Sequence, residues 1–422
     1  HVLEHAAGPV GRAVALQEFQ RSFRPGLPVR FITNTWGDRS RDSRINEAFL
    51  LREIEAAARL GADLVQMDDG WQRGRTVNAA AAQKEGGGVW EGFYETDPDF
   101  WTPHPERFPN GLAPVAEAAR AAGLGLGIWF APDSCRDFAN WERDAETILG
   151  LWRDFGAVSF KLDSINLRSA AGERNLKAMV ERIRSGSGGE IVLDLDVTAL
   201  RRPGYLSLME CGTVFVENRY TDWRNYWPHS TLRNLWSLAH YIDPRRLRME
   251  FLNNARNGER YGDDPLAPGV YDPAYLFATV CFAQPLGWFE ASNLPESYFG
   301  ELPDLVRTWR QHRESIAEGT IVPVGEQPDG TSWTGFLSLD PAGKGGYLLV
   351  FRETNNRDRT WISLPPGLGP DFGKKVEWIH APDKAGLSIQ DGVIHASLPG
   401  PRSFALVRLR GPDNPSCRSA TT

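Results

Sequence analysis

Lys161 and Asp163 stand two positions apart at the end of AVSFKLDSIN (157–166), a run that reads as a β-strand. Residues i and i+2 leave a strand on one face, so an ammonium and a carboxylate project together from its C-terminal end. A carboxylate beside a fixed cation stays ionised at neutral pH and is competent to attack an electrophilic carbon. The same two groups also suit a buried structural ion pair, so the surroundings must decide between the readings.

Those surroundings repeat one grammar. Short apolar runs rich in β-branched residues alternate with amphipathic helical stretches, the pattern of βα units around a parallel sheet. There are eight: VRFITNTWG (29–37), ADLVQMDDGW (62–71), LGLGIWFAPD (124–133), AVSFKLDSIN (157–166), EIVLDLDVT (190–198), TVFVENRY (213–220), RLRMEFLN (246–253) and FATVCFAQPLGWFE (277–290). Eight units predict an α/β fold, a closed (β/α)8 TIM barrel. Phe49, Leu50, Ile54, Ala57 and Leu60 share one helical face and Gly61 ends it, while Leu112, Val115, Ala116 and Ala119 form a second stripe closed by Gly123. The stretch from Gln72 to Asn110 has no period and is rich in Gly, Pro, Trp and Phe. A loop of that length leaving the C-terminal face of a barrel is expected to wall a pocket.

From Gly319 the pattern changes to alternating strands separated by Gly, Pro, Asn and Asp turns: TSWTGFLSLD, GGYLLVFRET, RTWISLPP, KKVEWIHAP, GVIHASLPG and RSFALVRLRG. This predicts a small antiparallel β-sandwich after the barrel. The expected organisation is an N-terminal connector (1–24), a catalytic barrel (25–318), the sandwich (319–410) and a loose polar tail (411–422).

The proposed barrel strands carry polar residues at their C-terminal ends. They are Asn34 and Trp36; Asp68, Asp69 and Trp71; Trp129 and Asp133; Lys161 and Asp163; Asp194 and Asp196; Glu217 and Arg219; Glu250 and Asn253. Carboxylates avoid burial unless paired or working, so this set predicts an acid-lined, aromatic-walled bowl on the rim where barrel enzymes act. Taken singly, Asp194 and Asp196 also suit loop caps, Glu250 a salt bridge and Trp71 packing.

Composition narrows the chemistry. A chain of 422 residues with 41% apolar residues can fill a large core and a second unit, and its net charge of −7 argues against nucleic acid as a partner. No stretch approaches the roughly 20 apolar residues of a membrane span. Cys135, Cys211, Cys281 and Cys417 lack the spacing of a zinc site or a disulfide scaffold, and the eight histidines include no metal-ligand pair on a strand end. Neither a metal nor any other cofactor is expected. A Schiff base on Lys161 is disfavoured, because a neighbouring carboxylate raises the lysine pKa. The chain begins with His1 and shows no signal-peptide pattern, which leaves room for a leader or a domain ahead of it. Compartment and oligomeric state are not legible.

Two carboxylates acting on a glycosidic bond suit this rim best, one attacking the anomeric carbon and the other protonating the leaving oxygen across roughly 5 to 5.5 Å. With QMDDGW, GIWFAPD and FKLD in place, the chain resembles the clan of retaining α-galactosidases, including the melibiase and raffinose-hydrolysing families, over about residues 25 to 410. That resemblance implies Asp163 as nucleophile and Lys161 as a sugar-binding lysine beside it. It implies Asp68 and Asp69 as acids holding the galactose 4- and 6-hydroxyls, with Trp36, Trp71 and Trp129 as pocket walls. Asp194, Asp196 and Arg219 complete the expected oligosaccharide- or glycoside-binding set. The family's acid/base lies in an R-x-S-D-D type segment, where this chain has VENRYTDW, so Glu217 and Asp222 both stand as proton donors, the resemblance leaning to Asp222. The family's Cys- and Gly-rich turn after the fifth strand is replaced by LDLDVTALRRPGYL. Activity on α-N-acetylgalactosamine or β-L-arabinopyranose, transglycosylation, and a catalytically weak carbohydrate-binding role are the alternatives.

Overall fold

In the computed structural model, eight parallel strands pair in sequence order and β8 returns to β1, closing a barrel. The strands are β1 (Ile32–Asn34), β2 (Leu64–Met67), β3 (Gly125–Phe130), β4 (Ala157–Leu162), β5 (Val192–Asp196), β6 (Gly212–Val216), β7 (Leu247–Phe251) and β8 (Gln284–Trp288). The structure describes residues 8–38, 41–197, 201–216, 225–369 and 371–411. The predicted barrel is therefore the observed one.

The connecting helices form where the sequence places their signals. Helix Glu47–Leu60 starts at Asn46, whose side chain accepts a hydrogen bond from the Phe49 amide, and stops at Gly61, held at φ 77°. Its face of Phe49, Leu50, Ile54, Ala57 and Leu60 is buried, each large side chain contributing about 1.5–3 kcal/mol of hydrophobic stabilisation. Gly156 ends helix Trp141–Phe155 in the same left-handed way, one residue before β4 begins.

The eighth strand is shorter than its apolar run. Pro273–Ala278 is helical and only Gln284–Trp288 pairs as strand. A fully buried run shows no periodicity that separates helix from strand, and Pro273 occupies the first helical turn, where its missing N–H costs nothing.

The C-terminal strands form a five-stranded sheet in the order β13-β16-β11-β10-β9 and a three-stranded sheet β12-β15-β14. Their ranges are β9 (Thr320–Gly325), β10 (Trp333–Leu339), β11 (Gly346–Arg352), β12 (Arg359–Ser363), β13 (Lys375–His380), β14 (Gly386–Gln390), β15 (Val393–Ser397) and β16 (Ser403–Arg410). Trp333, Leu337, Leu348, Val350, Ile394 and Val407 lie in their common core. Two strands, β9 and β14, exceed the six read from the sequence: Pro323 interrupts the first, and the second opens on Gly386 and is only five residues long.

The chain divides into two compact units, one of residues 1–21, 228–244 and 308–422, the other of residues 22–227 and 245–307. Within the first, the N-terminal helix Gly8–Ser22 is tied to β9 by Gln17, whose amide donates to the Ile321 carbonyl (2.6 Å) and accepts from the Ile321 amide (3.0 Å). Arg21 pairs with Asp243 at 2.7 Å. The eight barrel strands and the described site residues discussed below lie in the second unit.

Candidate active site

The barrel interior is polar in depth. Asp194 on β5 faces Arg248 on β7 at 3.4 Å and accepts from Ser159 on β4 at 3.4 Å, and Arg248 also reaches Gln284 on β8. All four side chains are buried. Two residues further along each strand come Lys161, Asp196 and Glu250, also buried. Because strand residues alternate, Ser159, Lys161 and Asp163 share the inner face, and the last of them reaches the C-terminal rim.

Asp163 is half-buried, and three donors hold it. Its Oδ1 accepts from the Ser164 amide (2.5 Å) and from Arg202 Nη2 (2.9 Å); its Oδ2 accepts from the Trp129 indole N–H (3.2 Å). Burial, the largest influence, pushes this carboxyl up, but Lys161 and Arg202, with the Ser164 amide and the Trp129 indole, hold it well below the usual carboxylate range. These contacts favour its carboxylate form. Ser164 adopts φ 54°, a left-handed conformation rare for a residue with a Cβ, and its hydroxyl donates to the Trp90 carbonyl (3.2 Å).

Lys161 Nζ lies 3.2 Å from Asp68 Oδ2, and over the rings of Trp288 and Phe215 at 4.8 and 5.1 Å. The same Asp68 oxygen accepts from Asn34 (2.8 Å), so β1, β2 and β4 converge on one carboxylate. Asp69 is turned away into its own loop, where its two oxygens accept from Gln72 Nε2 (2.7 Å) and the Thr76 hydroxyl (2.5 Å). Burial raises its pKa to about 7, against the pull of those two donors.

The three expected tryptophan walls are placed differently from one another. Trp36 sits at the end of β1 with its amide donating to Asn34 Oδ1 at 2.8 Å. Trp129 is fully buried and touches Asp163 through its N–H. Trp71 is also fully buried, its indole N–H donating to the Trp129 carbonyl at 2.9 Å, so it stands behind Trp129 rather than on the rim. Asp133 accepts from the Gly92 amide (2.7 Å) and from Asn140 (2.9 Å), organising the loop after β3. Asp194 lies a layer below the rim, against Arg248. Glu217, Arg219 and Asp222 lie outside the described residues.

Sequence reasoning did not single out Arg202, Trp288 or Trp90. Arg202 belongs to the long β5–β6 connection, and the signal for it was only that this text departs from the family turn. Trp288 ends β8 over Lys161, and its indole nitrogen is buried without a hydrogen-bond partner among the described residues. Half-buried Trp90, in the insertion after β2, lies 6.4 Å from Trp129 ring to ring, and its neighbour Glu91 pairs with Arg168 beyond β4 at 2.6 Å. Among the described residues no cluster of His, Cys, Asp or Glu could hold a metal ion, and no helix is long and apolar enough to cross a membrane.

No protein-family model matches the chain. Over 99 residues it is 35% identical to the probable alpha-galactosidase G of Aspergillus terreus, covering 21% of this chain and 11% of that protein. Over 88 residues it is 30% identical to an alpha-galactosidase of Escherichia coli, covering 21% and 10%. The matched stretches thus span about a tenth of these relatives' length. In structure it superposes on the GH36 alpha-galactosidase AgaA of Geobacillus stearothermophilus with a TM-score of 0.66 at 16% identity, covering 96% of this chain and 59% of that one. The alpha-galactosidase of Lactobacillus brevis gives a TM-score of 0.69 at 11% identity, covering 98% and 60%. The fold is that of the alpha-galactosidases, and the local sequence likeness is to proteins of the same name.

Proposed function

We propose that this chain is a retaining exo-α-glycosidase that removes terminal α-galactosyl residues. The observation that carries the reading is the setting of Asp163: a carboxylate at the C-terminal rim of a closed barrel, with one oxygen doubly held and the other, among the described residues, bonded only to an indole N–H. The sequence likeness to alpha-galactosidases supplies the sugar, and crystals of AgaA variants from Geobacillus stearothermophilus contain stachyose and raffinose.

In this reading Asp163 attacks the anomeric carbon while a carboxylic acid gives its proton to the departing glycosidic oxygen. Water then attacks the same carbon, yields its proton to the acid's conjugate base, and releases Asp163 as carboxylate. Two inversions retain the anomeric configuration. Asp68, Lys161 and Asn34 form a ready-made donor and acceptor group for sugar hydroxyls at the floor. Either Glu217 or Asp222, both following β6 in sequence order, is the proton donor, with the sequence resemblance leaning to Asp222.

The test is a panel of aryl α- and β-glycosides of galactose, N-acetylgalactosamine and arabinopyranose, with the configuration of the first-formed sugar read by NMR. Turnover of the α-galactoside with an α-configured first product is expected. A β-configured first product would overturn the retaining mechanism, and inactivity on the α-galactoside beside activity on another glycoside would overturn the sugar.

A further inference from the structure

The two oxygens of Asp163 are not equivalent. Oδ1 receives a backbone N–H and a guanidinium, both at 2.9 Å or closer, whereas Oδ2 receives one indole N–H at 3.2 Å. Arg202 is no incidental surface partner: its side chain is 7% exposed, and the carboxylate it meets is 18% exposed. Its loop is fixed from the β4 side, since the Leu167 amide donates to the Arg201 carbonyl at 2.8 Å, and Pro203 stiffens the backbone immediately after it.

We propose that Arg202 is a positioning residue that clamps Oδ1 of Asp163, so that Oδ2 is the attacking oxygen, and that its guanidinium favours the second of the two chemical steps. The inference rests on the retaining reading above. In the first step Oδ2 bonds to the anomeric carbon, the glycosidic C–O bond breaks, and the leaving oxygen takes the acid's proton. Asp163 loses its negative charge there, so a cation on Oδ1 opposes this step. In the second step water oxygen bonds to the anomeric carbon and the Oδ2–carbon bond breaks with both electrons passing to the carboxylate. Negative charge returns to Asp163, and Arg202 with the Ser164 amide lies where it develops, in the manner of a preorganised oxyanion site. Lys161 makes its direct contact with Asp68 and acts on Asp163 through space, whereas Arg202 bonds to Oδ1 itself.

Two measurements test the proposal. In the first, the native chain is trapped with 2-deoxy-2-fluoro-galactosyl fluoride and its crystal structure determined. The ester is expected on Oδ2 with Arg202 still on Oδ1, and an ester on Oδ1 would overturn the inference. In the second, Arg202→Gln is assayed with a dinitrophenyl α-galactoside. Loss of the cation is expected to give a burst of about one equivalent of phenol and a steady-state rate at least ~10-fold lower. It should also raise the acid limb of kcat/KM by ~1 pH unit or more, with Arg202→Lys restoring that limb because the charge returns. A variant with no burst and an unmoved acid limb would overturn the proposal while leaving the retaining reading intact. A native chain that turns over substrate but cannot be labelled at Asp163 would overturn both.

Discussion

The ammonium of Lys161 is 3.2 Å from Oδ2 of Asp68, although Lys161 was expected to escort Asp163, its neighbour two residues along β4. Both acids feel this cation, but the direct contact crosses from β4 to β2. Lys161 therefore ties the floor of the bowl together and acts on Asp163 through space. The consequences can be measured.

Replacing Lys161 with Met removes one partner of a buried pair and leaves the Asp68 carboxylate uncompensated, a change that typically costs about 3–5 kcal/mol. A clear drop in the urea midpoint is expected, together with an upward move of the acid limb of kcat/KM, because a cation holding Asp163 down is gone. Unchanged stability would show that the pair is not formed in solution.

Asp163→Ala removes the attacking group and is expected to lower turnover of an aryl α-galactoside by roughly 10³-fold or more, with far-ultraviolet circular dichroism unchanged. Turnover within tenfold of the native value would remove Asp163 from the mechanism.

Trp129→Phe keeps most of the buried ring and the backbone carbonyl that Trp71 uses, but deletes the N–H on Oδ2. A hydrogen bond to a charged group is worth about 1.5–3 kcal/mol, so kcat should fall by roughly 10- to 150-fold. Thermal stability should move far less than in the Lys161 variant, which is the comparison to make by calorimetry.

A Cβ on Gly37 would lie 1.8 Å from the Trp288 carbonyl oxygen, a backbone atom that cannot swing aside. Gly37→Ala is therefore expected to lower stability by about 1–3 kcal/mol and to disturb the end of β8, where Trp288 covers Lys161. Denaturant titration, with kcat/KM measured on the folded fraction, checks both effects.

Stability should also depend on pH. Glu53, Asp69, Asp144 and Glu353 are each pushed up to about 7, burial being the leading cause. Such groups ionise near 4 in the unfolded chain, so from about pH 4 to 7 the folded state holds more protons and stability falls as pH rises. His104, His240 and His312, whose values burial lowers, oppose this near pH 6 with smaller shifts. Asp163 acts at the acid end: its lowered value adds stability above the unfolded carboxylate range, lost as pH falls through the folded value. A melting temperature higher at pH 5.5 than at pH 8 is expected, and a rise over that interval would contradict the assignment.

The barrel was legible because β-branched runs recur at βα spacing and because polar residues gather at one end of them. Lys161 and Asp163 could be placed on one face by counting in twos. What counting could not supply was the destination of each side chain. Asp69, Asp133 and Trp71 have the types a sugar site uses, yet their polar atoms are taken up by Gln72 and Thr76, by Gly92 and Asn140, and by the Trp129 carbonyl. Asp194 was read as a rim acid, but it lies a layer lower against Arg248, because the layer each residue occupies is set by how the strands are staggered around the barrel. Arg202 reaches Asp163 from 39 residues away through a loop whose path no local pattern encodes. Helix and strand were likewise indistinguishable in the run before β8, where every residue is buried.

Ser164, bent into its left-handed backbone state, aims its amide at the preceding side chain and so stops the carboxylate from turning about its Cβ–Cγ bond. A free aspartate swaps its oxygens continually and must be frozen whenever a bond is to form. Here that rotor is locked during folding, and the arriving sugar meets a single lone pair already facing outward. Loosening that one peptide unit would leave Arg202 and Trp129 alone to keep the two oxygens apart.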